Sequence, residues 1–393
     1  VTAPRLGDRS LFPLLEPAAY LNHAGVSPPS DPVREAVRAA VDEFARRGGA
    51  AVGAALERRR VLRGRIARLL GARPEDVALT QNTSAGIQAV ALDFPWRRGD
   101  RVVVFEGEFP ANVTPWQQAA LAFGLEATFL PLAPFLRSSE EGLARLDREL
   151  ARGVRLVAVS AVQFRSGLAM PIAEMARRCA AAGAEILVDA VQAAGVVPLD
   201  AAGADYLAAG AHKWLMGLLG AGFLYVRPGR AEALVPRTAG WLSHEDAARF
   251  LTDGPGHLRR DRPIRRRADF VEIGGASEAS LAALDASLGI LESLGIPAIR
   301  AHVEAYLDRV EPELVGRGFA SLRAREPERR SGILSLEPPP GVEVVALARE
   351  LQARGVACAI PDGALRLSPH WPNDVAEVPH VLRAVDASLA ALR

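Results

Sequence analysis

Residues 185–214 read EILVDAVQAAGVVPLDAAGADYLAAGAHKW, and this stretch decides the fold. It begins with a short apolar run, Ile186–Asp189, that ends in an acid. A Gly/Pro-containing connection follows. A second apolar run, Tyr206–Ala209, then leads into Ala211-His212-Lys213-Trp214. Unbroken apolar runs of four to six residues, bounded by polar or glycine turns, are what strands look like when helices cover both faces of their sheet. Working outward, the same pattern recurs at Val77–Thr80, Arg101–Phe105, Ala127–Leu130, Leu156–Ala161 and Ala221–Val226, with helix-like stretches between. Seven runs in this alternation predict an α/β fold built on one mostly parallel seven-stranded sheet.

The flanks fill in the rest. Pro32 to Leu70 carries apolar residues at helical spacing, for example Val33, Val37, Val41 and Phe44. Gly254–Arg267 (GPGHLRRDRPIRRR) reads as a loop, and Ser277–Leu294 as a long amphipathic helix. Beyond it, Val303–Val315, Ile333–Leu336, Val345–Gln352, Val356–Ile360, Ala364–Leu367 and Val375–Leu392 alternate helix and strand. The expected organisation is an N-terminal arm over 1–30, a large domain over 31–270 and a smaller C-terminal α+β domain over 271–393. A length of 393 residues suits two domains.

Composition excludes several classes. Hydrophobic residues make up 49% and charged residues 24%, with a net charge of +1, so no strong field favours nucleic acid or an anionic membrane. The Arg-rich stretch 259–267 reads as a solvated loop over the mouth of a site, with Trp241 beside that mouth or in the core. Two cysteines, Cys179 and Cys358, build no disulfide framework, and no Cys/His cluster suggests a metal. The apolar run Trp214–Val226 spans thirteen residues, short of a membrane span. The opening VTAPRLGDRS has no charged-then-apolar leader pattern, and a soluble cytoplasmic protein is expected.

One count stands out. Lys and Arg total 47, and Lys213 is the single lysine. A GC-rich coding bias accounts for lost lysines but not for the survivor. Guanidinium replaces ammonium where only charge is needed. It cannot do so where an amine must shed its proton and attack a carbonyl. Lys213 is therefore a Schiff-base candidate, against the alternative of chance survival.

Other candidates surround it in sequence. Asp189 sits at the carboxyl end of an apolar strand, where ligands meet open α/β sheets. A buried carboxylate there needs a partner, either local backbone amides or a protonated ring nitrogen. Gln192 lies three residues on. Thr83 and Ser84 follow strand Val77–Thr80 at the start of a helix; taken alone they read first as an ordinary cap and second as an anion site. His212 adjoins the lysine. A P-loop is excluded, because the only lysine lies in His-Lys-Trp, and Gly217-x-x-Gly220-x-Gly222 is not dinucleotide spacing.

The ordered set is similar to the fold type I pyridoxal-phosphate enzymes, and specifically resembles the class V aminotransferase superfamily with its cysteine desulfurases, selenocysteine lyases and isopenicillin-N-epimerase-like members. The resemblance runs from Tyr20-Leu21-Asn22-His23-Ala24-Gly25 through Glu108-Phe109-Pro110-Ala111-Asn112, Val188–Gln192 and His212-Lys213 to Leu365-Arg366-Leu367-Ser368-Pro369-His370. It implies pyridoxal 5'-phosphate held on Lys213, which is also the base for the substrate α-proton. It further implies Asp189 at the ring nitrogen, Gln192 at the phenolic oxygen, and Thr83, Ser84 and His212 at the phosphate. Phe109 would stack on the ring where many relatives have histidine. Arg366 would bind the substrate carboxylate, with Asn22 and His23 approaching the substrate; alone, Arg366 reads as an exposed strand arginine, but its setting between Leu365 and Leu367 favours a directed side chain. A homodimer acting on a small amino acid is the implied assembly.

Departures narrow the chemistry. An in-trans phosphate contact falls at Gly275, an asparagine near the cofactor reads as Phe164, and Gly210 replaces a serine. Desulfurases carry a mobile loop with a nucleophilic cysteine. Here Val356-Ala357-Cys358-Ala359-Ile360 runs through Pro361-Asp362-Gly363 straight to Arg366, and Cys358 reads as a buried strand residue. The expectation is a carbon–sulfur lyase working by α,β-elimination without a persulfide cysteine. Transamination is the alternative, then epimerisation, and last a catalytically silent binding protein.

Overall fold

All seven apolar runs pair into one sheet, each within two residues of its expected bounds. In the computed structural model, which describes residues 3–392, the chain begins with strand β1 (Ala19–Tyr20) and helices α1 (Asp31–Arg47) and α2 (Val52–Leu70). Then follow β2 (Val77–Thr80), α3 (Thr83–Asp93), β3 (Arg101–Phe105), α4 (Thr114–Phe123), β4 (Glu126–Leu130), α5 (Ala133–Arg137), α6 (Ser139–Leu150) and β5 (Val154–Ser160). Next come α7 (Ile172–Ala181), β6 (Glu185–Asp189), β7 (Tyr206–Gly210), β8 (Gly222–Val226), α8 (Glu278–Leu294) and α9 (Ile296–Val315). The chain closes with β9 (Ala320–Ser321), β10 (Leu334–Glu337), α10 (Val344–Ala353), β11 (Val356–Ala357), β12 (Leu365–Leu367) and α11 (Val378–Ala391).

The large sheet has the order β2-β8-β7-β6-β5-β3-β4. Only β8 runs antiparallel to its neighbours. Both faces are buried, and successive residues go to opposite sides. Val102 and Val104 join one core with Trp116 and Phe94, while Val103 and Phe105 join the other with Phe135 and Val157. This two-sided burial is why the strands carry no polar alternation. Parallel strands also leave several carboxyl ends at one edge, the place where open α/β sheets hold ligands.

Two expectations are corrected. The helical stretch expected from Pro32 to Leu70 is two helices, because Gly48–Ala51 form a short 3-10 turn in which Gly48 takes φ 52. The strand expected over Val356–Ile360 is only Val356–Ala357, so Cys358 lies just past it, half-buried.

The chain ends are woven together. β1 pairs in parallel with β11, and Asn22 bridges Ser368 just after β12. β12, β10 and β9 form a small antiparallel sheet. Helix α8 packs on α1 and α2, where Arg59 pairs with Glu278 and Arg65 with Asp285. No single helix among the described residues is long and apolar enough to cross a membrane.

Candidate active site

The segments that follow β2, β3, β5, β6 and β7 converge on one cavity of about 500 Å3. Thr83 and Ser84 follow β2, Phe109 follows β3 and Phe164 follows β5. Asp189 and Gln192 come from the end of β6, and His212 and Lys213 follow β7. Arg366, Pro361 and the segment Ala24–Val26 close it. The structure thus brings together eight of the ten residues proposed from sequence.

The other two, Asn22 and His23, do not line the cavity. His23 is 1% exposed and sits behind the lysine. Its Nδ1 is 2.7 Å from Ser27 Oγ, which donates to the carbonyl of Lys213 across 2.7 Å. A hydroxyl has one proton, so Nδ1–H of His23 is the donor in that first bond. The Ser27 amide also bonds the carbonyl of His212, at 2.7 Å. His370 secures the next carbonyl. Its Nδ1 accepts from the Trp371 amide at 2.7 Å, which leaves Nε2–H to donate to Trp214 at 2.8 Å. Three consecutive carbonyls around Lys213 are therefore pinned by residues from both ends of the chain. Gly195 is required beside this turn: it adopts φ 108, and a Cβ there would stand 2.2 Å from the Trp214 carbonyl.

Burial sets the protonation of the polar groups. Lys213 is brought down to about 8, chiefly by desolvation, with Asp189 opposing and Arg366 assisting. Its amine is then partly neutral near pH 7.5, the form that attacks a carbonyl. Asp189 is pushed up to about 7 by burial and by the nearby Glu108, against the Val191 amide and Lys213. Among the described residues its carboxylate has one hydrogen-bond partner, that amide, 2.9 Å from Oδ1. A buried carboxylate so poorly served fits a protonated ring nitrogen. His212 is lowered to about 4 by burial and Lys213, and is neutral at pH 7.

The remaining walls fit the same group. Phe109 is 45% exposed, and its ring centroid lies 5.4 Å from the Lys213 Nζ and 5.4 Å from that of Phe164. Asn82, rather than Thr83, caps α3 by accepting from the Ala85 amide at 2.8 Å. The first-turn amides at Thr83 and Ser84 have no intrahelical partner and suit an anion. Gly210 keeps this corner open, since a Cβ would meet Thr83 Oγ1 at 3.1 Å and His212 Nδ1 at 3.3 Å. Gln192 accepts from Trp214 Nε1 at 2.8 Å and donates to the Ala24 carbonyl at 3.0 Å, which leaves one N–H.

Arg366 is 5% exposed and has no carboxylate partner among the described residues. It donates to the Phe164 carbonyl at 2.9 Å, and its Nε has no partner. A buried guanidinium in this state calls for an anion.

Sequence reasoning passed over Glu108. It is 7% exposed and accepts from the Ser160 amide at 2.7 Å, from the Ser160 hydroxyl and from Gln163 Nε2 at 3.0 Å. Ser160 is the register partner of Asp189 across β5 and β6, which brings the Glu108 carboxylate near that of Asp189, although Glu108 itself does not line the cavity. An acid directly before Phe109 was the only signal available. Gly275 lies in a different cavity, with Thr80 and Gln81, and neither Trp241 nor residues 254–267 line the cavity of Lys213.

Residues 20–365 match the family model described as aminotransferase class-V. The chain is 27% identical to the uncharacterized aminotransferase YcbU of Bacillus subtilis, over 96% of each chain. It is 28% identical to the isopenicillin N epimerase of Streptomyces clavuligerus, over 82% of each. In structure it is similar to a cystine C–S lyase solved with its product cysteine persulfide, at TM-score 0.87 and 23% identity, covering 96% of this chain and 99% of that one. The chain is a pyridoxal-phosphate-dependent enzyme of the class-V aminotransferase family.

Proposed function

We propose that this enzyme breaks the carbon–sulfur bond of a cysteine-like amino acid by α,β-elimination, with no sulfur passed to a cysteine of its own. Pyridoxal phosphate, when bound, supplies the electron sink that makes the α-proton acidic. Asp189 would pair with the ring nitrogen and favour its protonated form, and Gln192 would offer its free N–H to the ring oxygen. Thr83, Ser84 and His212 would hold the phosphate, and Phe109 would pack against the ring. Arg366 receives the substrate carboxylate in a planar fork. Lys213 takes the α-proton, and the β-sulfur departs with the C–S electron pair. The three-carbon fragment leaves as 2-aminoacrylate, which water converts to pyruvate and ammonium.

The observation that carries this reading is the anchoring of Cys358. The next residue, Ala359, exchanges two backbone hydrogen bonds with Arg366, at 2.7 and 3.2 Å. The thiol therefore sits at the foot of a closed hairpin instead of on a swinging loop. Burial pushes it up to about 12, away from the nucleophilic thiolate. Phe109 and Phe164 offer no proton on their side of the cavity. That suits a thiolate, which leaves without an acid, and disfavours an epimerase, which needs a second proton carrier. The relatives span amino transfer, epimerisation and C–S cleavage by name, so the family alone does not select among them.

Holoenzyme supplied with cysteine or cystine is expected to release pyruvate and a sulfur product in equal amounts. Stoichiometric conversion of alanine to a keto acid, with the cofactor left as the pyridoxamine form, would establish transamination instead. We further propose a homodimer, because Gly275 lies apart from Lys213 within one chain and Leu219, Trp241 and Ile273 are exposed. Sedimentation of the holoenzyme as a single-chain species would refute that assembly.

A further inference from the structure

A second cavity adjoins the first. It is a groove of about 560 Å3 between α3 and α4, and Ser84, Phe109 and Ala111 line both spaces. The half-exposed Phe109 thus stands as a wall common to both. Away from this shared wall, the groove is lined by Gln88, Leu92, Thr114 and Gln118, with two prolines. None of its lining side chains is charged. The reaction cavity differs, since Asp189, Lys213 and Arg366 all face it.

We propose that this groove receives the β-substituent of the substrate, and that the preferred substrates are S-substituted cysteines whose tail is polar but uncharged. The inference rests on the lyase reading and names its substrate class. With the carboxylate at Arg366 and the α-carbon beside Lys213, a substituent on sulfur has the partition at Phe109 as its way out. A charged tail in the groove would meet no counter-charge among the residues that line it. An amide tail meets Gln88 and Gln118, each with an amide donor and acceptor, and the Thr114 hydroxyl. Leu92 and the prolines take its methylene groups. After cleavage the thiolate departs along the same groove, without passing Arg366. Cystine is a poorer fit, because its second half carries both an ammonium and a carboxylate.

The test uses holoenzyme and three conjugates of similar size: S-carbamoylmethyl-, S-carboxymethyl- and S-(2-aminoethyl)-cysteine. The amide is expected to exceed each charged conjugate at least tenfold in kcat/KM. In Gln118→Arg, an exposed helix position, the ratio of carboxymethyl to aminoethyl turnover is expected to rise at least fivefold. Equal rates for all three, or an unchanged ratio in Q118R, would overturn the assignment. Binding is read separately, by titrating each conjugate against the visible absorption of the bound cofactor. If the amide binds tightest yet no conjugate releases thiol and pyruvate, the groove stands and the lyase reading falls. If thiol is released without an order in affinity or rate, the groove falls and the lyase reading stands.

Discussion

The hydroxyl of Ser27 donates to the main-chain carbonyl of Lys213 across 2.7 Å. The N-terminal segment therefore shapes the site from behind, by fixing the backbone from which the reactive amine extends. His23 Nδ1–H in turn steadies the serine, so one hydroxyl serves two partners. Ser27→Ala removes both bonds. It is expected to cost about 1–3 kcal/mol of stability, the usual range when buried polar groups lose a partner. Turnover should fall further than stability accounts for, and the pH dependence of the visible cofactor band should shift, because the lysine is less well placed. Ser27→Thr should restore both. A melting curve, kcat and a spectral titration check this, and an S27A protein with wild-type kcat and spectrum would show the bond to be merely structural.

Cofactor capture should depend on pH in a defined direction. Only the neutral amine of Lys213 attacks an aldehyde, and burial lowers its proton affinity to about 8. The rate at which cofactor-free protein acquires its visible band is expected to rise through pH 8 and level off above it. Stopped-flow absorbance between pH 6.5 and 9.5 gives the midpoint. A midpoint near 10.5, the ordinary lysine value, would contradict the buried setting of the amine.

Asp189 carries a stability cost in the cofactor-free protein. Its folded value of about 7 lies above the ordinary 3.8. A raised carboxyl penalises the ionised form, so stability from this group falls as pH climbs from about 4 to 7 and is constant above. The full shift corresponds to about 4 kcal/mol at neutral pH. Asp189→Asn should therefore stabilise cofactor-free protein by up to that amount at pH 8, and by little at pH 4. The same variant should retain cofactor less well. Denaturation midpoints at the two pH values, with and without cofactor, separate the effects.

Arg366→Met should spare the fold and harm recognition. Hydrogen bonds to charged groups are worth about 1.5–3 kcal/mol, or roughly ten- to a hundredfold in affinity. The loss should appear in KM for amino acids and be absent for the corresponding amines, which have no carboxylate to lose. Equal losses for acid and amine would place the carboxylate elsewhere.

Cys358→Ser should keep turnover within about twofold, because a thiol held at about 12 is not a nucleophile at pH 8. Loss of more than tenfold, with normal cofactor content, would return the cysteine to the chemistry.

How much of this was legible beforehand varies with the kind of physics involved. The large sheet was readable because two-sided burial writes itself as uninterrupted apolar runs such as Arg101–Phe105. Lys213 was readable because it is the one lysine in the chain. Glu108 was not, since its part depends on Ser160 standing beside Asp189 across two strands. His23 was placed with the substrate because its neighbours in sequence are near it. A sequence motif carries no side-chain direction, and the ring turns away to Ser27. His370 likewise closed the quoted motif without a role, because its partner is a carbonyl 156 positions earlier. The break between α1 and α2 hid in an Ala/Arg-rich run whose only sign was Gly48-Gly49.

The solitary lysine has a practical consequence. Apart from the chain's own α-amine, a reagent selective for primary amines meets a single side chain in the whole molecule, and that side chain lines the cavity floored by Asp189. Acylation of intact protein followed by mass measurement then works as an occupancy meter once calibrated on cofactor-free protein: the extra protection of this position in the holoenzyme measures the fraction with its aldehyde in place, without any substrate at all.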